Sequence, residues 1–261
     1  VRVDTGVFHL DQLYDYAVPE KLSALVLPGV RVQLPFGNRE TEGIVVTRVA
    51  SPEKAGTLKP ITKVLSEHCV ATPASLTLID KAAEFYCCNP WDIVRSAIPP
   101  RVASVDKELS VSRVISQSKI GNKVSAFQSF RPFVASDQQI PELVNGFISI
   151  GSVLIVAPDE KDVDRLINSL SQRYDNVLRL SSSSTREERY RNFLIAMRLP
   201  TSIVVGTRSA VFAPVNNLAA IIVYKESAPD HFDLRSPGWN TSTIARMRSE
   251  LESVGLVFTG F

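Results

Sequence analysis

The sequence predicts a multidomain β plus α/β chain, a small β-rich domain followed by a parallel α/β domain, and three features carry that prediction. Short alternating runs broken by Pro, Gly and charge fill residues 1–65. From residue 151 onward, apolar runs of strand length alternate with helical patterns. Between the two, residues 101–131 are polar, Ser-rich and basic.

In the first part, "VRV" (1–3), "GVRVQLPFG" (29–37) and "EGIVVTRV" (42–49) read as strands, with Val30, Val32, Leu34 and Phe36 alternating. Strands this short and this closely spaced predict a small barrel or sandwich. At Pro73 the period changes: "PASLTLIDKAAEFYCC" sets Leu76, Ile79, Ala83 and Tyr86 on one helical face, with Pro at a start where its missing N–H is harmless. A second helix is predicted from Asp92 to Ala97, stopped by Pro99 and Pro100. Residues 101–131 suit a linker that contains the domain boundary, giving domains at 1–100 and 132–261.

The second domain is more regular. "SVLIVAP" (152–158) is a buried strand, and "DEKDVDRLINSLSQRY" follows with Val163, Leu166, Ile167 and Leu170 at helical spacing behind Asp159 as N-cap. "NVLRL" (176–180) is a second strand, and Thr185 with Glu188 opens the helix "TREERYRNFLIAM" as a capping box. "TSIVVG", "LAAIIVY" and "GLVFTG" add three strands, the last preceded by a helix over "TSTIARMRSELES". Such alternation implies a parallel sheet with helices on its faces. A domain rarely stops on a bare buried strand, so further segments are expected beyond Phe261.

Composition narrows the function classes. With 44% hydrophobic and 21% charged residues the chain is an ordinary globular one. It has no apolar run of the roughly 18 residues a membrane helix needs and no signal-type start, so a cytoplasmic protein is expected. Cys69, Cys87 and Cys88 suit reduced packing residues, and His9, His68 and His231 share no metal spacing, so no metal is expected. Trp239 reads as a packed loop anchor. Net charge is +2, and the positive excess lies in the middle, where Arg101, Lys107, Arg113, Lys119, Lys123 and Arg131 face only Asp106 and Glu108. Such a segment can track a phosphate backbone or be merely a solvated connector.

A parallel sheet raises the question of a nucleotide. The usual triphosphate cradle is G-x-x-x-x-G-K-[ST], yet none of the twelve glycines is followed by Lys. The strand that would lead into it falls near residues 127–150, where "RPFVASDQQIPELVNGF" offers a strand, a helix and a polar turn without glycine. The second requirement is a pair of carboxylates at a strand end to hold Mg²⁺; "LAAIIVYKES" puts Tyr224, Lys225, Glu226 and Ser227 there instead. With both parts missing, nucleotide hydrolysis is not expected.

"VVGTRSAVFAP" (204–214) followed by "NLAAIIV" (217–223) closely resembles the first motor lobe of the PriA family of primosomal replication-restart proteins, and "IVAPDEKDVDRL" (155–166) fits the same lobe. In the N-terminal half, "LYDYAVPE" (13–20), "PGVRVQLPFGNRETEGIVV" (28–46), "LKPITKVL" (58–65) and "EFYCCNPWDIVRSAIPP" (84–100) are similar to that family's DNA 3′-end-binding domain. The resemblance implies that the second domain is a RecA-like, superfamily-two helicase lobe. It implies a 3′-end pocket of Tyr14, Asp15, Tyr16, Gly37 and Lys59, in which a terminal base stacks on a Tyr face, Asp15 accepts from a free 3′-hydroxyl, Gly37 allows close approach and Lys59 meets phosphate. Arg31 and Arg39 become secondary phosphate contacts, and Thr207, Arg208 and Ser209 a DNA contact of the lobe.

Two departures qualify the match. The winged-helix module that separates the family's halves has no room in residues 101–135, and the cradle and acidic box are degenerate. The missing cradle and degenerate acidic box resemble the branch of high-GC Gram-positive bacteria that is described as lacking helicase activity. The family uses ATP with Mg and structural zinc; elements for neither are present here, so no cofactor is expected. The expected function is binding of 3′ ends at stalled replication forks, in DNA replication and repair, without ATPase or helicase activity. Branched or fork DNA is the expected partner, together with single-stranded-DNA-binding protein and other primosome proteins, and no membrane. Two other readings stay open: an active ATP-dependent 3′ to 5′ helicase, and a protein-docking scaffold of the primosome.

Overall fold

The computed structural model describes residues 1–51, 56–110 and 124–261 and divides into two compact units, 1–113 and 114–261. In the first unit, β1 (Arg2–Val3), β2 (Val30–Phe36), β3 (Arg39–Ile44) and β4 (Lys63–Cys69) form one antiparallel sheet in the order β1-β3-β2-β4. Alternation along β2 sends Val30, Val32 and Leu34 into a core with Val3, Val26, Val45 and Ile61. Phe36 pairs with Arg39 across a two-residue turn, and Gly37 at its first central position has φ +61°, as a type II′ hairpin demands.

The unit is therefore an open sheet and neither the barrel nor the sandwich expected from strand spacing. The reason is that its other face is covered by helices: α1 (Pro73–Phe85), α2 (Pro90–Ala97) and α3 (Ala103–Glu108). Arg2 reaches Asp80 on α1, Arg31 reaches the Pro99 carbonyl after α2, and His68 meets the Asp106 carbonyl of α3. Thr72 and Ser75 form a capping box around Pro73, and Asn89 caps α2, which starts two residues before the expected Asp92. Cys87, at φ +50°, has left the helical path by the point where the sequence pattern would still continue α1.

The second unit is a six-stranded parallel sheet in the order β5-β10-β9-β6-β8-β7. Its elements in chain order are β5 (Ser125–Ser129), α4 (Ser136–Ile148), β6 (Ser152–Val156), α5 (Glu160–Ser171), β7 (Val177–Leu180), α6 (Arg186–Ala196), β8 (Ile203–Gly206), β9 (Leu218–Val223), α7 (Thr241–Glu252) and β10 (Gly255–Gly260). β6, β8, β9 and β10 are buried along their whole length, which is why their sequences are unbroken apolar runs. Asp159 caps α5 and Thr185 with Glu188 boxes α6, as their spacing predicts.

The connector expected over 101–131 is ordered at both ends, as α3 and as β5. β5 escaped the sequence pattern because it is an edge strand exposed at all five positions, so burial imposes no period on it. Residues 111–123, with Arg113, Lys119 and Lys123 of the basic segment, lie outside the described residues. Among the described residues no helix is long and apolar enough to cross a membrane.

Candidate nucleic-acid interface

In the first unit the turn Tyr14-Asp15-Tyr16 is held by backbone pairing on both sides. Tyr14 N donates to the Val1 carbonyl (3.0 Å), Ala17 N to the Lys59 carbonyl (3.0 Å) and Ile61 N back to Ala17 (3.0 Å). This brings Lys59 beside the turn although 43 residues of sequence separate it from Tyr16. The phenols are fastened too: Tyr14 Oη donates to the Leu10 carbonyl at 2.6 Å and Tyr16 Oη to the Pro35 carbonyl at 3.1 Å. The Tyr14 ring meets Phe36 edge-on, centroids 5.1 Å apart. Burial raises the Tyr16 phenol above its usual pKa, so it stays protonated and donating.

Tyr14, Asp15 and Tyr16 share a cavity of about 390 Å³ with Thr47, Arg48 and Leu58. Asp15 is exposed at it, while the two half-buried rings supply apolar wall, which suits a base with a hydroxyl-bearing sugar. Lys59 is exposed next to the lining residue Leu58. Gly37 lies apart, in an open groove of about 470 Å³ with Phe36 and Arg39, and nothing stands within 4 Å of the place a Cβ would take there. Tyr14 of the cavity and Phe36 of the groove touch edge-on.

Arg39 is exposed and donates to the Thr5 carbonyl at 2.8 Å, which leaves its charge available. Arg31 is not a phosphate contact. It is 6% exposed, paired with Glu42 at 2.7 Å and bonded to the Pro99 carbonyl at 2.5 Å, because its place on β2 faces the helices and not solvent. Arg48 was not picked out from sequence; it sits beyond β3 in "VVTRV", where a lone cation among β-branched residues gives no signal.

In the second unit Thr207, Arg208 and Ser209 are half-buried at the carboxyl end of β8, where a tight turn over Arg208–Phe212 begins. Arg208 Nη1 donates to the Asp230 carbonyl at 2.6 Å, so the guanidinium is positioned without being neutralised by that bond. Trp239 is a buried anchor, 5.1 Å from Phe212.

The residues at the carboxyl ends of β5, β9 and β10 do not fit a magnesium nucleotide. Phe130 after β5, Tyr224 after β9 and Phe261 after β10 pack together, with Phe130 5.5 Å from Tyr224 and 5.4 Å from Phe261. Gln139 occupies the inside of the β5–α4 turn, accepting from Arg131 N at 2.7 Å and donating to the Val134 carbonyl at 3.0 Å. A phosphate cradle needs those turn N–H groups and glycine's freedom; here Phe133 takes the left-handed φ of +63°. Tyr224 bonds Ser136, and burial pushes its phenol up to about 12, so it is no anion. Lys225 puts an ammonium over the Tyr224 ring and onto Asp162, where the metal carboxylates would stand. Glu226 and Ser227 follow, half-buried and exposed. Among the described residues no cluster of three or more His, Cys, Asp or Glu could hold a metal ion, and no disulfide links the three cysteines.

A family model described as a 3′ DNA-binding domain matches residues 1–99. A probable replication restart protein PriA of Mycobacterium tuberculosis H37Rv is 29% identical over 280 residues, spanning 98% of this chain and 43% of that protein. The corresponding protein of Mycobacterium leprae is 30% identical, over 94% of this chain and 42% of its own length. Replication restart protein PriA of Rickettsia conorii is 24% identical over 81% of the chain and 35% of its own. The chain thus spans less than half the length of the curated relatives it matches. The E. coli DExH-box NTPase HrpB superposes loosely, at 13% identity over 60% of this chain and 21% of that one with a TM-score of 0.38.

Proposed function

Because the chain belongs to the PriA family of replication restart proteins, we propose that it recognises the free 3′ end of a strand at a stalled fork and helps to reload replication machinery without unwinding DNA itself. The observation that carries this is the cavity shared by Tyr14, Asp15 and Tyr16 inside the matched domain. Its rings offer stacking surface, and Asp15 is a carboxylate acceptor for a group that only a terminal nucleotide has, the 3′-hydroxyl. An interior nucleotide or a 3′-phosphate presents no such donor, and the phosphate adds a like charge.

Inactivity of the second unit is part of the proposal. The aromatic packing of Phe130, Tyr224 and Phe261 and the Lys225–Asp162 pair support it. We place Thr207, Arg208 and Ser209 as a passive phosphate contact of that unit, with Arg208 giving the charge. Single-stranded-DNA-binding protein and other primosome proteins are the protein partners this reading implies, in the cytoplasm at the nucleoid.

The test is titration of the chain with fluorescent fork DNAs that differ only at the nascent strand, ending in 3′-hydroxyl or 3′-phosphate. The hydroxyl fork is expected to bind more tightly, and Asp15→Ala to erase the difference. Equal affinity of the unaltered chain for both ends would remove the reading. DNA-stimulated phosphate release from ATP would restore the helicase alternative.

A further inference from the structure

We propose that Arg48 holds the phosphate on the 5′ side of the terminal nucleotide when a DNA 3′ end occupies the Tyr14–Tyr16 cavity; this rests on the reading of that cavity given above. A strand that ends inside a recess leaves it by its 5′ side, so its first phosphodiester must lie at the mouth. Arg48 is the one lysine or arginine side chain among the described residues that line the cavity.

Its bonding sets it apart from its neighbours. Nη1 donates to the carbonyls of Ser23 (2.7 Å) and Val26 (3.4 Å), and Nη2 to Ser23 Oγ (3.2 Å). All three acceptors are neutral. The guanidinium is thereby aimed without an ion-pair partner among the described residues, which is the state suited to an incoming anion. Among the described residues of this unit, four other arginines face carboxylates: Arg2 faces Asp11 and Asp80, Arg31 faces Glu42, Arg95 faces Asp4 and Asp92, and Arg101 faces Asp106. Arg39 also has only carbonyl partners among these contacts, but it lines the other groove. Arg48 is exposed, so phosphate can reach it from solvent.

The experiment crosses Arg48→Gln with a neutral methylphosphonate at the last internucleotide linkage of the nascent strand in a 3′-hydroxyl fork. Arg48→Gln is expected to weaken binding about tenfold and to flatten the salt dependence by about 0.7–0.9 in log–log slope, the loss of one phosphate contact. The methylphosphonate should weaken the unaltered chain similarly and add little to the variant. Preference for hydroxyl over phosphate ends should persist in Arg48→Gln, because Asp15 is intact. Equal sensitivity of variant and unaltered chain to the neutral linkage overturns the role of Arg48 while leaving the pocket standing. If the unaltered chain fails to distinguish the ends, the pocket reading and this proposal fall together. Should Arg48→Gln not fold, Arg48→Lys, which keeps a charge without the fork, carries the same cycle: undiminished linkage sensitivity with weaker binding supports the role, and unchanged affinity opposes the fork geometry argued here.

Discussion

Lys225 Nζ lies 2.7 and 2.9 Å from the two carboxylate oxygens of Asp162, so an ammonium and a buried acid satisfy each other at the end of β9. Asp162 is only 3% exposed, and its other basic neighbour, Arg165, is 3.7 Å away on an exposed side chain. Lys225→Ala is expected to destabilise the chain by about 1–3 kcal/mol, since it strands a buried carboxylate. Lysine and alanine suffer alike at the φ of +53° there, so backbone strain drops out of the comparison. An unchanged urea midpoint would contradict the pair's role. Lys225→Asp, which rebuilds part of an acidic box, should yield no ATP turnover, because the turn after β5 stays closed by Gln139.

Arg31 and Arg39 separate stability from binding. Arg31→Ala removes the partner of Glu42 and the donor to Pro99, and a loss of about 1–3 kcal/mol is expected by thermal or urea unfolding. Arg39→Ala, on an exposed turn, should cost less than about 0.5 kcal/mol and should weaken fork binding more than it weakens the fold. Reversal of that order would return Arg31 to the DNA surface.

His231 makes acid stability testable. It is buried, its Nε2–H donates to the Tyr224 carbonyl at 2.9 Å, and burial holds its pKa below the ordinary 6.5. The unfolded chain therefore binds a proton at higher pH than the folded one. Stability from this site is complete above about pH 6.5 and falls as pH drops from there toward the depressed folded value, by at most about 1.4 kcal/mol per pH unit. His231→Gln should be less stable at pH 8 yet lose less on acidification to pH 5, read from urea midpoints at both. A parallel decline in the two proteins would assign the acid lability elsewhere.

Gly37 tests why a glycine stands at the hairpin. A Cβ there meets nothing within 4 Å, so substitution is limited by φ alone. Gly37→Ala should cost about 1 kcal/mol and Gly37→Asn less, because Asn tolerates the left-handed region. If the groove admits DNA closely, Gly37→Asn should fold well yet bind fork DNA more weakly; unchanged affinity would confine the glycine to turn geometry.

The buried parallel strands and their caps were legible because local pattern and tertiary position agree there: Asp159, Thr185 and Glu188 act within one helical turn. Arg31 was misread because its partner carbonyl lies 68 residues away, and alternation alone cannot say that both faces of β2 are covered. β5 was hidden because "SAFQS" answers to no burial period, and Arg48 because its meaning comes from carbonyls of residues 23 and 26. The Tyr14–Tyr16 turn was singled out only through resemblance; the placing of Lys59 beside it is a product of the 17–61 pairing.

Both phenols beside Asp15 are tethered to main-chain oxygens before any nucleic acid arrives. On the proposed reading, capture of a terminus would freeze motion in the strand and hardly any in the protein. Ends already stiffened by a duplex forfeit less disorder on docking than loose tails do, so the recess should favour paired termini by entropy alone.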